Sequence, residues 1–458
     1  MGARGIADAA VYVPHRRLDL RSVAAVAGGG GGKGTRAVAG YDEDTTTMGV
    51  EACRRLRRLA DASPSTLWFS TTAPAYADKT NATAIHAALR LAAHSAAFDV
   101  VGSVRSSVGA IVAALSGDGV QLVASADLRT GLPGGPDEAS FGDGAAALLL
   151  GGDDDGPLLA DLVGTGRATE EFLDRWRVPG EPRSKVWEER FGETRYVPLG
   201  VAAWEDALEH ADLTADQVDL VVVAGTHSRA VGAVGKRLGV ADRLVGTDLT
   251  AAVGNLGAAQ PIALLTSALE RAEPGQVIAL VVLADGADVL LFRATDAVAG
   301  WSPAPSTTEL QEGGAPVDYG TYLRWRGLLS VEPPRRPEPS RPSASAAGRS
   351  RDWKFGFVGS ADEAGQVHLP PQPGDASNVP MSDACGTVAT FTVDRLAYSP
   401  SPPVVFAVVD FDEGGRLPVE LTDVDLDQVR IGARVQPTFR RLFTADGVHN
   451  YFWKARVL

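Results

Sequence analysis

Two side chains stand where an alternating α/β chain usually presents its chemistry. His227, in "VDLVVVAGTHSRAVGAVGKRLG", falls just past a run apolar enough to be a buried strand, the position from which open α/β sheets offer functional groups. A histidine hydrogen-bonded at a strand end fits the same pattern. Asn255, in "VGTDLTAAVGNLGAAQPIALL", sits in a Gly-flanked turn before an Ala-rich helix, where an Asn can serve the backbone alone. Together the two make a pair of donors for a developing oxyanion. The stretch "AFDVVGSVRSSVGAIVAAL", Ala97 to Leu115, has the layout of a nucleophile turn, with an aspartate, a small-residue turn and a helix of small and apolar residues, yet it carries no cysteine. "YDEDTTTMGVEACRRLRRL" sets three acids at a helix start, favourable charge at the positive end of the dipole. The glycine run "GGGGGKGT", Gly28 to Thr35, fails as a phosphate loop because Ala27 stands five before Gly32 and Gly34 follows Lys33; a surface loop is the better reading.

The elements that must position these residues are legible in outline. Runs such as "STLWFSTT", "GVQLVASA", "VDLVVVAG" and "GQVIALVVLA" alternate with Ala- and Leu-rich helical segments, the pattern of an α/β layered sheet whose strands are buried on both faces. A coarse duplication pairs strand, helix and strand near Ser70, Ala110 and Val123 with strand, helix and strand near Val222, Ala263 and Leu280, as two similar βαβ halves would. Residues 331–352, "VEPPRRPEPSRPSASAAGRSRD", read as an extended linker that packs little. Beyond it, five alternating strands in about a hundred residues predict a small antiparallel barrel of the oligonucleotide/oligosaccharide-binding (OB) type.

These residues carry a family resemblance. Residues 1–330 resemble the thiolase superfamily, specifically hydroxymethylglutaryl-CoA synthase of the archaeal type, with ketoacyl-ACP synthase III as a more distant relative. "DEDTTTMGVEA" resembles the segment of the general acid/base glutamate and so implies that role for Glu43. "THSRAVGAVGKRLG" and "VGNLGAAQP" resemble the histidine and asparagine segments at His227 and Asn255, and "FGDGAAALLLG" and "VDYGTYLRWRG" are further landmarks. The implied fold is a duplicated five-layer α/β/α/β/α domain. Residues 353–458 resemble the OB-fold proteins that accompany these enzymes, through "GTVATFTV" and "VVDFDEGGRLPVELTDVD". In that family a zinc ribbon of two Cys-x-x-Cys pairs precedes the barrel. Here Pro370 and Pro371 remain, but Ala361 and Ala364 replace the first pair and Asp375 and Asn378 fall at the second. His368 alone cannot make a tetrahedral site, so no zinc is expected.

The family's acylated cysteine follows the aspartate of the "FD" pair by five residues, and counting from Asp99 gives Val104, which has no nucleophilic atom. Ser103, Ser106 and Ser107 would each need a base within reach, while Cys53 and Cys385 are placed as packed, inert thiols. Acyl transfer through a covalent intermediate is therefore lost. An aldol or retro-aldol step needs only a base and oxyanion donors, which the resemblance assigns to Glu43, His227 and Asn255, so the expected function is making or breaking a C–C bond of a thioester by aldol, retro-aldol or Claisen-like chemistry. The implied substrate is a thioester of CoA or of a carrier protein, with no permanently bound cofactor and with Arg229 and Lys236 toward the phosphates; exposed helix charge is the other reading of that pair. A catalytically silent partner of an active thiolase-fold enzyme is the alternative function. The family implies a homodimer or hetero-oligomer.

The net charge of −14, from 43 Lys and Arg against 57 Asp and Glu, argues against a nucleic-acid or anionic-membrane surface. Two cysteines, no apolar run of membrane-spanning length and no leader-like start predict a cytoplasmic, soluble chain free of disulfides.

Overall fold

The strands Gln121–Asp127 and Val277–Leu283 are buried at every residue, as their continuous apolar sequences require, and each sits in the middle of one half of a nine-stranded sheet. The computed structural model describes residues 4–458. Strand order across the sheet is Leu220–Gly225, Val277–Leu283, Gly286–Ala294, Ala160–Thr169, Arg4–Tyr12, Gly144–Gly152, Gln121–Asp127, Thr66–Thr71 and Ala96–Val101. The halves meet at one short antiparallel join, Gly5 opposite Asp161 and Ile6 opposite Ala160. A β-carbon on Gly5 would stand 2.1 Å from the Ala160 carbonyl oxygen, so only glycine permits that join.

Both halves face the helices Arg105–Ser116 and Gln260–Leu269. Val108 and Ile111 of the first and Ile262 and Leu265 of the second share one core with Val123 and Leu148 from one half-sheet and Val222 and Leu280 from the other. Helices Thr45–Arg54 and Ala82–Ala88 cover the outer face of the first half, and Glu189–Ala211 and Ser228–Arg237 that of the second. The result is the duplicated five-layer α/β/α/β/α arrangement implied by the sequence.

The C-terminal strands Gly386–Asp394, Val404–Phe411, Arg416–Leu421, Val448–Val457 and Arg434–Ala445 close a barrel in that spatial order. Alternation puts Val405, Ala407 and Val409 inside with Phe439 and Trp453 while Phe406 faces out, the period-2 pattern of a half-buried strand. The preceding ribbon does not fit zinc. Its Asp375 carboxylate accepts from the Ser360 hydroxyl and pairs with Nδ1 of His368 at 2.9 Å, and among the described residues no group of three or more His, Cys, Asp or Glu could hold a metal ion. The linker is a correction in part. Residues 331–343 have no regular structure, but Ala344–Arg349 is a short helix with no buried residue and Arg351–Lys354 a helical turn against Ala82–Ala88 and the barrel strand Val448–Val457. Cys53 is fully buried, and burial pushes its thiol up. No described helix is long and apolar enough to cross a membrane.

Candidate active site

The helix Arg105–Ser116 starts at Val104, which is buried at the floor of a cavity of about 580 Å³. Its aspartate landmark, Asp99, accepts the backbone N–H groups of Asn81 and Ala82 at 2.7 Å, so it ties down the start of the neighbouring helix. Thr72 forms another wall. Its N–H and hydroxyl donate to the buried Asp127 carboxylate at 2.8 and 2.9 Å, and Asp127 also receives the Ala258 N–H. Of the three serines near Val104, only Ser103 lines the cavity; it hydrogen-bonds the Asp285 carboxyl. Asp285, in the tight turn between Val277–Leu283 and Gly286–Ala294 at φ 47°, stands at the mouth, and partial burial raises its pKa against the pull of Ser103 and Arg105. Three guanidinium groups, from Arg129, Arg175 and Arg177, complete the lining.

His227 ends the strand Leu220–Gly225 and caps the helix Ser228–Arg237, its Nδ1 accepting the Ala230 N–H at 3.1 Å. That bond requires a lone pair on Nδ1, so in the neutral ring the proton sits on Nε2. Around the ring lie Asp174, whose pKa is raised by burial with His227 opposing, and Tyr196, whose ring centroid is 6.1 Å away. Asn255 packs beside the same strand end. Its Nδ2 donates to the Gly225 carbonyl at 2.8 Å and its Oδ1 accepts the Gly257 N–H at 2.9 Å, which fixes the carboxamide plane and leaves one N–H unused by protein among the described residues. The cavity at His227, about 330 Å³, shares Arg175 and Thr226 with the Val104 cavity. The imidazole and the emptied nucleophile position therefore border neighbouring cavities, whereas the Asn255 carboxamide lines neither and is held against the strand end through Gly225.

Glu43 does not join them. Its carboxylate accepts the Tyr12 hydroxyl and the Gly40 N–H (2.7 Å) and stands 3.5 Å from Nη2 of Arg440 on the barrel; it lines neither cavity. The physical reason is that each acid of the "DED" turn faces a barrel cation, Asp42 with Lys454 at 2.9 Å and Asp44 with Arg441 at 3.7 Å. Asp44 also caps the helix Thr45–Arg54, accepting the Thr47 N–H at 3.0 Å, which is the reading the sequence pattern gives by default. Arg229 and Lys236 are exposed on their helix and line neither cavity. The cavity cations are instead Arg129, Arg175 and Arg177, which sequence reading missed. The available signal was "LDRWRVPGEPRSKVW", a charged and aromatic stretch that folds back so that Arg177 donates to the Thr72 carbonyl and Arg175 stacks 4.9 Å from the Phe141 ring centroid.

Half-sheets enclosing two central helices, with a histidine and an asparagine at one end and an OB barrel appended, define a thiolase-fold protein with a C-terminal OB domain. Residues 208–289 match the family described as 3-oxoacyl-[acyl-carrier-protein (ACP)] synthase III C terminal, and residues 378–440 match that described as ChsH2, C-terminal OB-fold domain. Among curated relatives, hydroxymethylglutaryl-CoA synthase of Methanothermobacter thermautotrophicus is 28% identical over 347 residues, covering 71% of this chain and 99% of the relative. Two solved structures share the fold. MvaS in complex with 3-hydroxy-3-methylglutaryl coenzyme A has a TM-score of 0.60 at 22% identity, covering 74% of this chain and 95% of that one. The curacin biosynthetic pathway HMG synthase in complex with acetyl donor-ACP has a TM-score of 0.59 at 17% identity, covering 71% and 88%. The chain thus has the thiolase-type fold, is similar over most of its length to hydroxymethylglutaryl-CoA synthases, and carries a C-terminal domain that matches the OB fold of the ChsH2 type.

Proposed function

We propose that this chain binds a thioester of CoA or of a carrier protein across the two neighbouring cavities and makes or breaks the bond between its α- and β-carbons by aldol or retro-aldol chemistry, without acylating itself. The observation that carries the reading is that the Val104 and His227 cavities are neighbours, with Thr226 and Arg175 lining both. In this reading His227 and Asn255 are the donors that stabilise the thioester oxygen as enolate charge develops. Asp285 takes the proton-handling role that Glu43 is too remote to fill. In the cleavage direction the β-hydroxyl proton passes to the Asp285 carboxylate, the β-oxygen becomes a carbonyl, and the Cα–Cβ electron pair moves into the thioester as an enolate, which is then protonated at Cα. Val104 supplies apolar wall where an acyl-enzyme would otherwise form. The same reading gives a cytoplasmic protein that works as a homodimer or beside another thiolase-fold chain.

The test is incubation of the purified chain with a panel of acyl-CoA and β-hydroxyacyl-CoA thioesters, with products followed by mass spectrometry. His227→Ala and Asn255→Ala should each lower turnover about 10²- to 10³-fold while thioester binding stays measurable. A second reading, a catalytically silent partner of an active relative, is favoured by the combination of Val104 and a sequestered Glu43. Absence of product from every thioester, with binding retained, selects it.

A further inference from the structure

A second cavity, of about 520 Å³, lies on the other side of the Thr72–Asn81 segment from Val104, where the first domain, the linker helices and the barrel hairpin meet. Its volume is in the range of small-molecule pockets, about 300–1,000 Å³. The lining is one-sided in charge. Lys79, Arg351 and Lys354 contribute cations and His86 and His449 add imidazoles, while no Asp or Glu side chain lines it, in a chain of net charge −14. Lys79 donates only to the Thr80 carbonyl and the Thr83 hydroxyl, each at 2.9 Å. Lys354 lies 5.6 Å from the Phe355 ring centroid, and among the described residues neither lysine forms an ion pair. Burial lowers the pKa of both from the ordinary lysine value. By contrast the buried Lys454 and Arg54 have carboxylate partners in Asp42 and Glu51. Arg351 has Asp352 at 2.9 Å, but the two lysines bring like charge to a partly desolvated space with no ion pair among the described residues, and an anion relieves that repulsion. The remaining wall is aromatic. Tyr76 and His449 stand 4.8 Å apart ring to ring, with Phe355 and Tyr451 beside them, a surface suited to stacking a planar ring.

We propose that this interdomain cavity is a binding site for a nucleoside phosphate, with the lysines and Arg351 on the phosphates and the aromatic wall against the base. Charge-assisted bonds from lysine and arginine hold phosphate oxygens. The occupant touches the segment whose opposite side, at Thr72, Ala73 and Ala77, walls the Val104 cavity, so it sits next to the thioester site without sharing it.

Titration calorimetry of the full chain with ADP, and separately with pyrophosphate, tests this. ADP is expected to bind, and pyrophosphate to bind at least about tenfold more weakly because it lacks the ring. Lys354→Glu and the more exposed Lys79→Glu should each weaken ADP by about tenfold or more, whereas Arg177→Glu, in the Val104 cavity, should leave it within about twofold. Using both lysine variants keeps the test valid if one fails to fold. No heat with ADP, equal affinity for pyrophosphate, or loss of binding in Arg177→Glu with retention in both lysine variants overturns the proposal.

Discussion

Glu43 and Glu51 are both buried against the barrel strand Arg434–Ala445, yet they titrate in opposite directions. Burial raises both; for Glu51 it is outweighed by Arg54 at 2.8 Å, by Arg440 and by the Phe439 N–H, and its pKa falls to about 2. For Glu43 burial wins, since Arg440 is 3.5 Å away and shared with Asp423, and the pKa rises to about 7. The folded chain thus holds a proton on Glu43 that the unfolded chain releases near the ordinary 4.5. Stability from this group is fully present below that value and is lost as pH rises through about 7. Glu43→Gln cannot titrate, so urea melts should show a weaker decline in stability between about pH 5 and pH 8 in the variant than in the parent. Thioester turnover should stay within about twofold; a collapse would restore Glu43 as the base. The places of His227 and Asn255 in the fold were legible because each rests on a local signal, a strand end and a Gly-flanked turn. Glu43 was not, because acids at a helix start look the same whether they face a cavity or a cation some four hundred residues later.

The helix Glu189–Ala211 decides how His227 is held. Its Gly192 is buried so close to the site that a β-carbon there would stand 2.7 Å from His227 Cδ2 and 2.5 Å from Asp174 Oδ1. Gly192→Ala should therefore push the imidazole off the line to the thioester oxygen, with a loss of turnover of about 10²-fold, because misplacement on the order of an ångström has that effect. A thermal melt close to that of the parent would separate displacement from unfolding, and parental turnover would show that the ring can shift without consequence. Elements with a strong period were readable, as the barrel strand Val404–Phe411 was from its alternation and the buried sheet strands from their continuous apolar runs. The cap over the cavity and the linker helix Ala344–Arg349 were not. Neither has an apolar stripe of its own; the segment around Arg175 is placed by long-range contacts such as Arg175 with Asp137, and Ala344–Arg349 has no buried residue.

At the scale of the molecule, two features set what the chain can bind. The barrel is docked through buried charge: Lys454, 1% exposed, holds Asp42 and Glu420, and Arg440, fully buried, holds Asp423 and faces Glu43. Lys454→Met leaves those carboxylates without their cation and should destabilise the chain by about 3–5 kcal/mol in denaturant melts. Its failure to do so would mean that water reaches the pair. The other feature is the free edge of the sheet. Ala96–Val101 is the last strand and pairs only with Thr66–Thr71. Phe98 and Val101 on it are 48% and 50% exposed, with Trp68 packed behind Phe98 at 5.2 Å between ring centroids. An apolar edge with unpaired backbone groups is a template for another strand, and Val101 also lines the Val104 cavity. A second copy pairing here would extend the sheet and cover the cavity's open side. Phe98→Glu places a charge in that contact. For the proposed dimer, it should shift size-exclusion chromatography with light scattering from dimer to monomer and lower thioester turnover in parallel. A variant that stays dimeric would locate the interface elsewhere, and a monomeric variant with full turnover would show that each site is complete in one chain.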